Sequence, residues 1–156
     1  MASEGVTEMP RAIMPDHYDA AVAAAMAAPS DQLVGLPEFL GIRTVDVGPG
    51  TMTAELEVRP DLLNPFGSLH GGVLAGLVDH VLGAVLYPVI ERGHWAATTE
   101  FKVNLLAAVH SGTLTAHSTV VSLTRRTAVV QVEVENNGRL CGLAQGTVLI
   151  TAPRGS

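Results

Sequence analysis

Alternating apolar and polar positions run through most of this chain and predict a set of half-buried strands. Between residues 51 and 58, for example, every second side chain is apolar and those between are threonine or glutamate. A period of two is typical of antiparallel strands that bury one face. The predicted strands lie near residues 41–47, 51–58, 95–105, 111–122, 126–136 and 139–151. Asn137-Gly138 predicts a tight hairpin between the last two.

One segment breaks this alternation, because residues 71–90 are apolar at almost every position and predict a single helix. A helix that is apolar all round is expected to be wrapped by protein. Asp79 and His80 stand in its middle, where packing gives no reason for a carboxylate. Glycines recur on the face of Asp79, at Gly72, Gly76 and Gly83. This bare face predicts either a slot for a slender ligand or a close helix–helix contact with Asp79 as a buried acceptor.

The start of this helix is a candidate site for a negatively charged oxygen. Gly71 and Gly72 follow His70 at the point where the first amides of a helix have no intrahelical partner. The helix dipole favours negative charge there, and glycine lets a ligand oxygen approach the amides. The pair is therefore a candidate oxyanion hole. His70 alone is equally compatible with a simple helix-entry residue.

The distance between these two features predicts an oligomer. At about 1.5 Å rise per residue, Asp79 lies roughly 10–12 Å along the helix from the first amides. One small carbonyl cannot be held by those amides and attacked by the carboxylate of the same copy. A two-fold pairing of copies with antiparallel helices would supply both groups and create two equivalent sites. We expect a homodimer that assembles further to a homotetramer.

The remaining segments complete an α+β fold. Asp16 is a candidate cap for an alanine-rich helix that ends near residue 28, and a short helical turn is predicted at 36–40. We divide the chain into an N-terminal arm with a short helix, residues 1–35, and one domain, residues 36–152. The order strand, strand, long helix, then four strands in a meander predicts a five- or six-stranded antiparallel sheet wrapped around the helix.

Composition narrows the functions open to the chain. Only 15% of its 156 residues are charged and 47% are hydrophobic, which favours a surface that includes an interface. The net charge of −6 argues against nucleic-acid binding. One cysteine, Cys141, fits a reducing cytoplasm, and the histidines show no ligand spacing, so we expect no metal. An acid within the apolar helix argues against a membrane span, and no signal peptide is recognisable, so we expect a cytoplasmic protein.

Several of these residues together resemble the hotdog-fold acyl-CoA thioesterases, most closely the branch that resembles phenylacetyl-CoA thioesterase (PaaI-like). Asn64 stands six positions before His70-Gly71-Gly72, and Asp79 stands nine after His70. Residues 98–106 resemble the third strand of that branch, and residues 125–130 its fifth. The resemblance implies hydrolysis of acyl-CoA to free acid and CoA, with no cofactor beyond the CoA of the substrate.

The resemblance also implies roles for individual residues. Asp79 would be the general base or the nucleophile, and Asn64 would position the attacking water or the thioester. The Gly71 amide would polarise the carbonyl, Gly72 would shape the turn, and His70 would orient the loop or contact the thioester.

Further residues are expected to contact substrate. Thr98 or its neighbour Thr99 matches a strand hydroxyl that contacts the water in some members of the family. Gly76 and Gly83 would line the slot, and Arg125 and Arg126 are the best candidates to bind the phosphates of CoA. The alternatives are an acyl-CoA hydratase or dehydratase on the same fold, or a non-catalytic acyl-CoA-binding module. The acyl group itself, aryl or short- to medium-chain, stays open.

Overall fold

A six-stranded antiparallel sheet wraps around one long helix in the computed structural model, which describes residues 12–29 and 34–153. The helices are α1 (Ala20–Ala27), α2 (Leu36–Leu40) and α3 (Gly71–Ala84), and a 3-10 turn covers Pro60–Leu62. The strands are β1 (Arg43–Gly48), β2 (Thr51–Glu57), β3 (Trp95–Leu105), β4 (Thr113–Leu123), β5 (Thr127–Asn136) and β6 (Arg139–Thr151). These elements confirm the predicted α+β class and the predicted sheet around a central helix.

The place of β3 contradicts the predicted meander of four strands. The order across the sheet is β1-β2-β4-β5-β6-β3, so β3 pairs with β6 and forms an outer edge. The inner face of β4 is buried, whereas no residue of β3 is buried in the single chain. A strand with a buried face belongs in the centre of a sheet, and one without such a face suits an edge. Alternation alone does not distinguish these two positions.

The inner face of α3 fills the concave side of the sheet. Its buried side chains are Leu74, Leu77, Val78, Val81, Leu82 and Ala84. They pack in one cluster with inward-facing residues of the central strands, including Leu56, Leu114, Val120, Val130, Val132 and Val148. Full burial of each leucine or valine among them contributes about 1.5–3 kcal/mol. This cluster therefore fixes how α3 lies on the sheet.

The helix α3 is shorter than predicted, because it ends at Ala84 and not near residue 90. Beyond that point the amides of Leu86 and Tyr87 donate to carbonyls three residues back, each at 3.2 Å. Such bonds continue the chain as tight turns. Pro88 has no N–H to donate and its ring would clash with an α-helical turn before it.

The helix α1 begins later than predicted and is capped by Asp19 instead of Asp16. The Oδ1 of Asp19 accepts from the amides of Ala21 and Val22 at 3.1 Å each, and its Oδ2 accepts from Arg92 Nε at 2.7 Å. The Arg92 hydrogen bond, together with the amide contacts, lowers the pKa of Asp19 to about 2. Asp19 is better placed than Asp16 because it joins α1 to the turns that follow α3.

Candidate active site

Asp79 lies on the face of α3 that the sheet does not cover. Val78 before it is fully buried, whereas Asp79 is exposed and lines an open cleft of about 420 Å³. The other lining residues are His80, Gly83, Ala84, Tyr87, Ala96 and Thr98. The prediction of a helix wrapped all round is therefore wrong for the single chain. The helix buries one face against the sheet and leaves the face of Asp79 open.

The two candidate threonines differ in position. Thr98 lines the cleft beside Asp79. A bulge interrupts the β3–β6 ladder between Thr98 and Glu100, and Thr99 is the residue within it. The hydroxyl of Thr99 donates to the Thr147 carbonyl at 3.0 Å, outside the cleft. Thr98 is thus the threonine that shares a cleft with Asp79.

The corner at the start of α3 leaves one amide without a partner. The Nδ1 of His70 accepts from the Gly72 amide at 2.9 Å, so His70 is the N-cap of α3. The Gly71 amide donates to no group of the described residues. A side chain at position 71 would bring its Cβ to 2.8 Å from Cδ1 of Leu105. His70 therefore orients the corner, and the Gly71 amide is the one available to a ligand.

Asn64 organises the loop that leads into this corner. Its Oδ1 accepts from the amides of Phe66 and Ser68 at 2.9 and 3.3 Å, and its Nδ2 donates to Ser68 Oγ at 2.9 Å. Asn64 and Gly71 line a second cleft, of about 290 Å³, together with residues 105–109. The same loop presents Phe66, which is 92% exposed. The side chain of Asn64 is thus engaged in holding the loop.

One copy of the chain does not bring the predicted catalytic residues together. Asp79 and Thr98 line one cleft, Asn64 and Gly71 line another, and the two clefts share no lining residue. The helical rise separates Asp79 from Gly71 by roughly 12 Å. That distance exceeds the reach of a carboxylate and an amide that act on one carbonyl.

The glycines on this side of α3 have different surroundings. A Cβ at Gly76 would lie 3.2 Å from Leu40 Cδ1, so the packing of α2 on α3 explains the lack of a side chain there. A Cβ at Gly72 would lie 3.1 Å from the ring of His70. At Gly83 the nearest atom would be 4.0 Å away, and this residue lines the cleft of Asp79. Of the predicted slot-lining glycines, Gly83 is the one in that cleft.

Comparison with known proteins finds relatives with a shared family. Residues 66–142 match the Thioesterase superfamily. The chain is 29% identical over 122 residues to the 1,4-dihydroxy-2-naphthoyl-CoA hydrolase of Listeria monocytogenes, an alignment that covers 78% of this chain and 99% of that protein. The chain is therefore similar to the thioesterase superfamily over 77 of its 156 residues. This confirms the predicted hotdog thioesterase family and makes the protein a thioester hydrolase.

Solved structures of thioesterases have the same fold. A thioesterase from Haemophilus influenzae superposes with a TM-score of 0.71 at 27% identity, covering 74% of this chain and 82% of that one. A hypothetical thioesterase from Streptococcus pneumoniae, solved with coenzyme A, gives a TM-score of 0.66 at 28% identity. It covers 73% of this chain and 88% of that chain.

His80 is half-buried beside Asp79 in this thioesterase. Burial lowers the pKa of His80, and the negative charge of Asp79 opposes that shift. The imidazole is therefore held towards its neutral form. A neutral His80 leaves the carboxylate of Asp79 without a fixed counter-charge from its neighbour in sequence.

The two candidate phosphate-binding arginines lie elsewhere, in the turn between β4 and β5. Arg125 and Arg126 are exposed and line a cavity of about 910 Å³ that segments 13–17 and 89–94 also border. The hydroxyl of Thr124 accepts from the amides of Arg126 and Thr127 at 3.3 and 3.0 Å, which shapes the turn. This cavity is separate from the cleft of Asp79.

Four residues in the cleft of Asp79 were not among the predicted site residues: His80, Ala84, Tyr87 and Ala96. Tyr87 stands eight positions after Asp79, and helical spacing through Gly83 could have identified it. Ala96 carries no signal in the sequence, because only the packing of β3 beside α3 brings it there.

No metal centre is found in the part of the chain that the structure describes. Among residues 12–29 and 34–153, no group of three or more histidine, cysteine or acidic side chains could hold a metal ion. Over the same residues, no helix has the length and apolar character that a membrane crossing requires.

Proposed function

We propose that this thioesterase hydrolyses acyl-CoA esters with aryl or short- to medium-chain acyl groups, at sites built from two copies of the chain. The observation that carries the proposal is the separation of Asp79 from the Gly71 amide, each in an open cleft of its own. Relatives named 1,4-dihydroxy-2-naphthoyl-CoA hydrolase and acyl-coenzyme A thioesterase 13 support CoA esters as substrates. Acyl-coenzyme A thioesterase 13 of Pongo abelii is 29% identical to this chain over 108 residues.

The unpaired edge of β3 supports the pairing of two copies. Antiparallel contact between two such edges would continue the sheet through both copies and bring the open faces of α3 together. Apolar side chains at the ends of β3 are exposed in the single chain, Trp95 by 51%, Leu105 by 58% and Leu106 by 50%. Burial of the exposed half of each leucine in a dimer would contribute about 1 kcal/mol. Association of two dimers into a tetramer is part of the proposal.

In the proposed reaction Asp79 of one copy acts as general base. Its carboxylate takes a proton from a water held by the hydroxyl of Thr98, and the water oxygen attacks the thioester carbon. The amide of Gly71 from the other copy donates to the carbonyl oxygen as negative charge develops there. The C–S bond then breaks, the acid is released, and the proton on Asp79 passes to the CoA thiolate. Direct attack by the Asp79 carboxylate is the competing route.

The remaining predicted residues have supporting roles in this proposal. His70 caps α3 and keeps the Gly72 amide occupied, so that a single amide faces the carbonyl. Asn64 holds the loop before that corner. Arg125 and Arg126 bind phosphates of CoA at the margin of the large cavity.

The imidazole of His70 also bears on the hydratase alternative, which needs a histidine paired with an acid. Within the described residues His70 has no carboxylate partner, and its Nδ1 is occupied by the Gly72 amide. A hydrolase built on Asp79 fits these contacts better. We also infer a cytoplasmic location, which the free thiol of Cys141 supports.

The test is thiol release from a panel of aryl- and alkyl-CoA esters by the native chain and Asp79→Asn. We expect the variant to lose about 10²-fold or more in kcat while its melting temperature is unchanged. Asp46→Asn, a change of another exposed aspartate on β1, is the matched control and is expected to keep full activity. Crotonyl-CoA hydration is followed in parallel.

Equal activity of Asp79→Asn and the native chain would show that this carboxylate is not the base. Hydration of crotonyl-CoA without thiol release would favour the hydratase. Sedimentation of the native chain as a monomer that retains full activity would remove the two-copy site.

A further inference from the structure

Tyr87 lines the cleft that contains Asp79. The chain leaves α3 at Ala84 and turns tightly, with the Tyr87 amide donating to the Ala84 carbonyl at 3.2 Å. This turn places the phenol ring in the cleft, where it is 40% exposed. Tyr87 stands eight positions after Asp79 in the sequence, and both residues line this cleft.

Part of the wall of this cleft is made of residues with small side chains or none. These residues are Gly83, Ala84 and Ala96, and a Cβ at Gly83 would still be 4.0 Å from its nearest neighbour. No lysine or arginine lines this cleft, so it offers nothing to the phosphates of CoA. An uncharged group attached to the thioester carbonyl fits such a slot, because small side chains leave room for a plate-shaped substituent.

Tyr87 is the aromatic residue of this cleft, in a chain that has only six aromatic residues. Its hydroxyl makes no hydrogen bond to another described residue, which leaves the side chain free to contact a ligand. Aromatic rings associate most favourably with other rings, in offset or edge-to-face geometry. An alkyl chain would bury area against Tyr87 but would not gain the additional stabilisation of ring–ring contact.

We propose that Tyr87 is a specificity-determining residue that selects aryl acyl groups by ring contact within the Asp79 cleft. The inference rests on the proposed function, since it assumes that the thioester lies at Asp79 and that its acyl group occupies the same cleft. It names the substrate class of that site as aryl-CoA esters, in preference to alkyl-CoA esters of similar size.

The experiment compares benzoyl-CoA with hexanoyl-CoA in the native chain, Tyr87→Phe and Tyr87→Leu. The readout is the ratio of the two kcat/KM values. We expect Tyr87→Leu to lower the aryl-to-alkyl ratio by about 3–10-fold, the strength of an aromatic pair, and Tyr87→Phe to keep it. Tyr18→Leu is the matched control, because Tyr18 is a similarly exposed tyrosine whose hydroxyl donates to the Val47 carbonyl outside the cleft.

A second readout needs no catalysis. Calorimetric titration with S-benzyl-CoA and S-hexyl-CoA, thioethers that cannot be hydrolysed, gives the same preference as a ratio of Kd values. An unchanged ratio in Tyr87→Leu, or an equal loss in Tyr87→Phe, would overturn the role of the ring. A shifted Kd ratio in a chain that releases no thiol would keep the inference and reject the proposed hydrolysis. Hydrolysis by the native chain together with an unchanged Kd ratio in Tyr87→Leu would keep the proposed function and reject the role of Tyr87.

Discussion

Proline at position 71 removes one hydrogen-bond donor from the proposed oxyanion hole with little other change. Gly71 is the first residue of α3, where proline is favoured because that amide has no intrahelical partner. His70 before it has φ −64° and ψ 130°, the extended conformation that a residue preceding proline adopts. Gly71→Ala is the matched control. Both variants place a Cβ near Leu105 Cδ1, the mobile end of an exposed side chain, and only alanine retains the N–H.

The expected magnitude follows from the role of that amide. Loss of one oxyanion-hole donor costs about 10²–10³-fold in kcat, or about 2.7–4 kcal/mol of transition-state stabilisation. We expect Gly71→Pro to show this loss and Gly71→Ala to lose less than about tenfold. The cap formed by His70 and Gly72 is outside the change, so both variants should keep the melting temperature of the native chain. Thiol release under saturating acyl-CoA measures the difference.

Mixed dimers test whether the amide acts across two copies. A dimer with Asp79→Asn in one copy and Gly71→Pro in the other has one site with both native groups and one site with neither. Two affinity tags, one on each variant, allow the mixed species to be purified. We expect it to recover about half of the activity of the native dimer, although each variant alone is nearly inactive.

Two results would refute this reasoning. If kcat of Gly71→Pro lies within about threefold of kcat of Gly71→Ala, the Gly71 amide is not the oxyanion donor. If the purified mixed dimer is as inactive as its parents, Asp79 and Gly71 do not act across two copies. The separation of the two clefts would then not indicate a shared site.

Three further predictions concern single side chains. Thr98→Val should lower kcat by roughly tenfold and Thr99→Val should not, because of the two only Thr98 shares a cleft with Asp79, the proposed base. Steady-state kinetics measures both variants, and equal values of kcat for the two would contradict this prediction. Asp19→Asn keeps a capping side chain but loses the ion pair with Arg92. In the native chain the contacts of Asp19 lower its pKa from 3.8 to about 2. The stabilisation by the ionised Asp19 carboxylate is present above pH 4 and is lost as the pH falls towards 2. The melting temperatures of the variant and the native chain, measured across that interval, should therefore converge. Arg126→Ala should raise KM for acyl-CoA by several-fold with kcat unchanged, and no change for either constant would exclude a phosphate contact.

The strands and the chemistry at the start of α3 could be predicted from the sequence because they depend on local patterns. Period-two alternation sets which face of each strand is apolar, whatever its neighbours are. Asn137 and Gly138 both adopt positive φ, 51° and 75°, as the predicted hairpin requires. The carboxylate in an apolar helix and the two glycines after His70 stood out for the same reason, since neither is explained by local packing preferences.

Long-range packing decided the rest. Alternation is the same in a central and an edge strand, so only the assembled sheet put β3 at the edge. Only the bulge in β3 decided that Thr98, and not Thr99, stands beside Asp79. The residues that can carry the chemistry are recognisable in the amino-acid sequence, because residue type is a local property. The tertiary structure alone decided which of them meet, because a cleft forms between segments far apart in the chain.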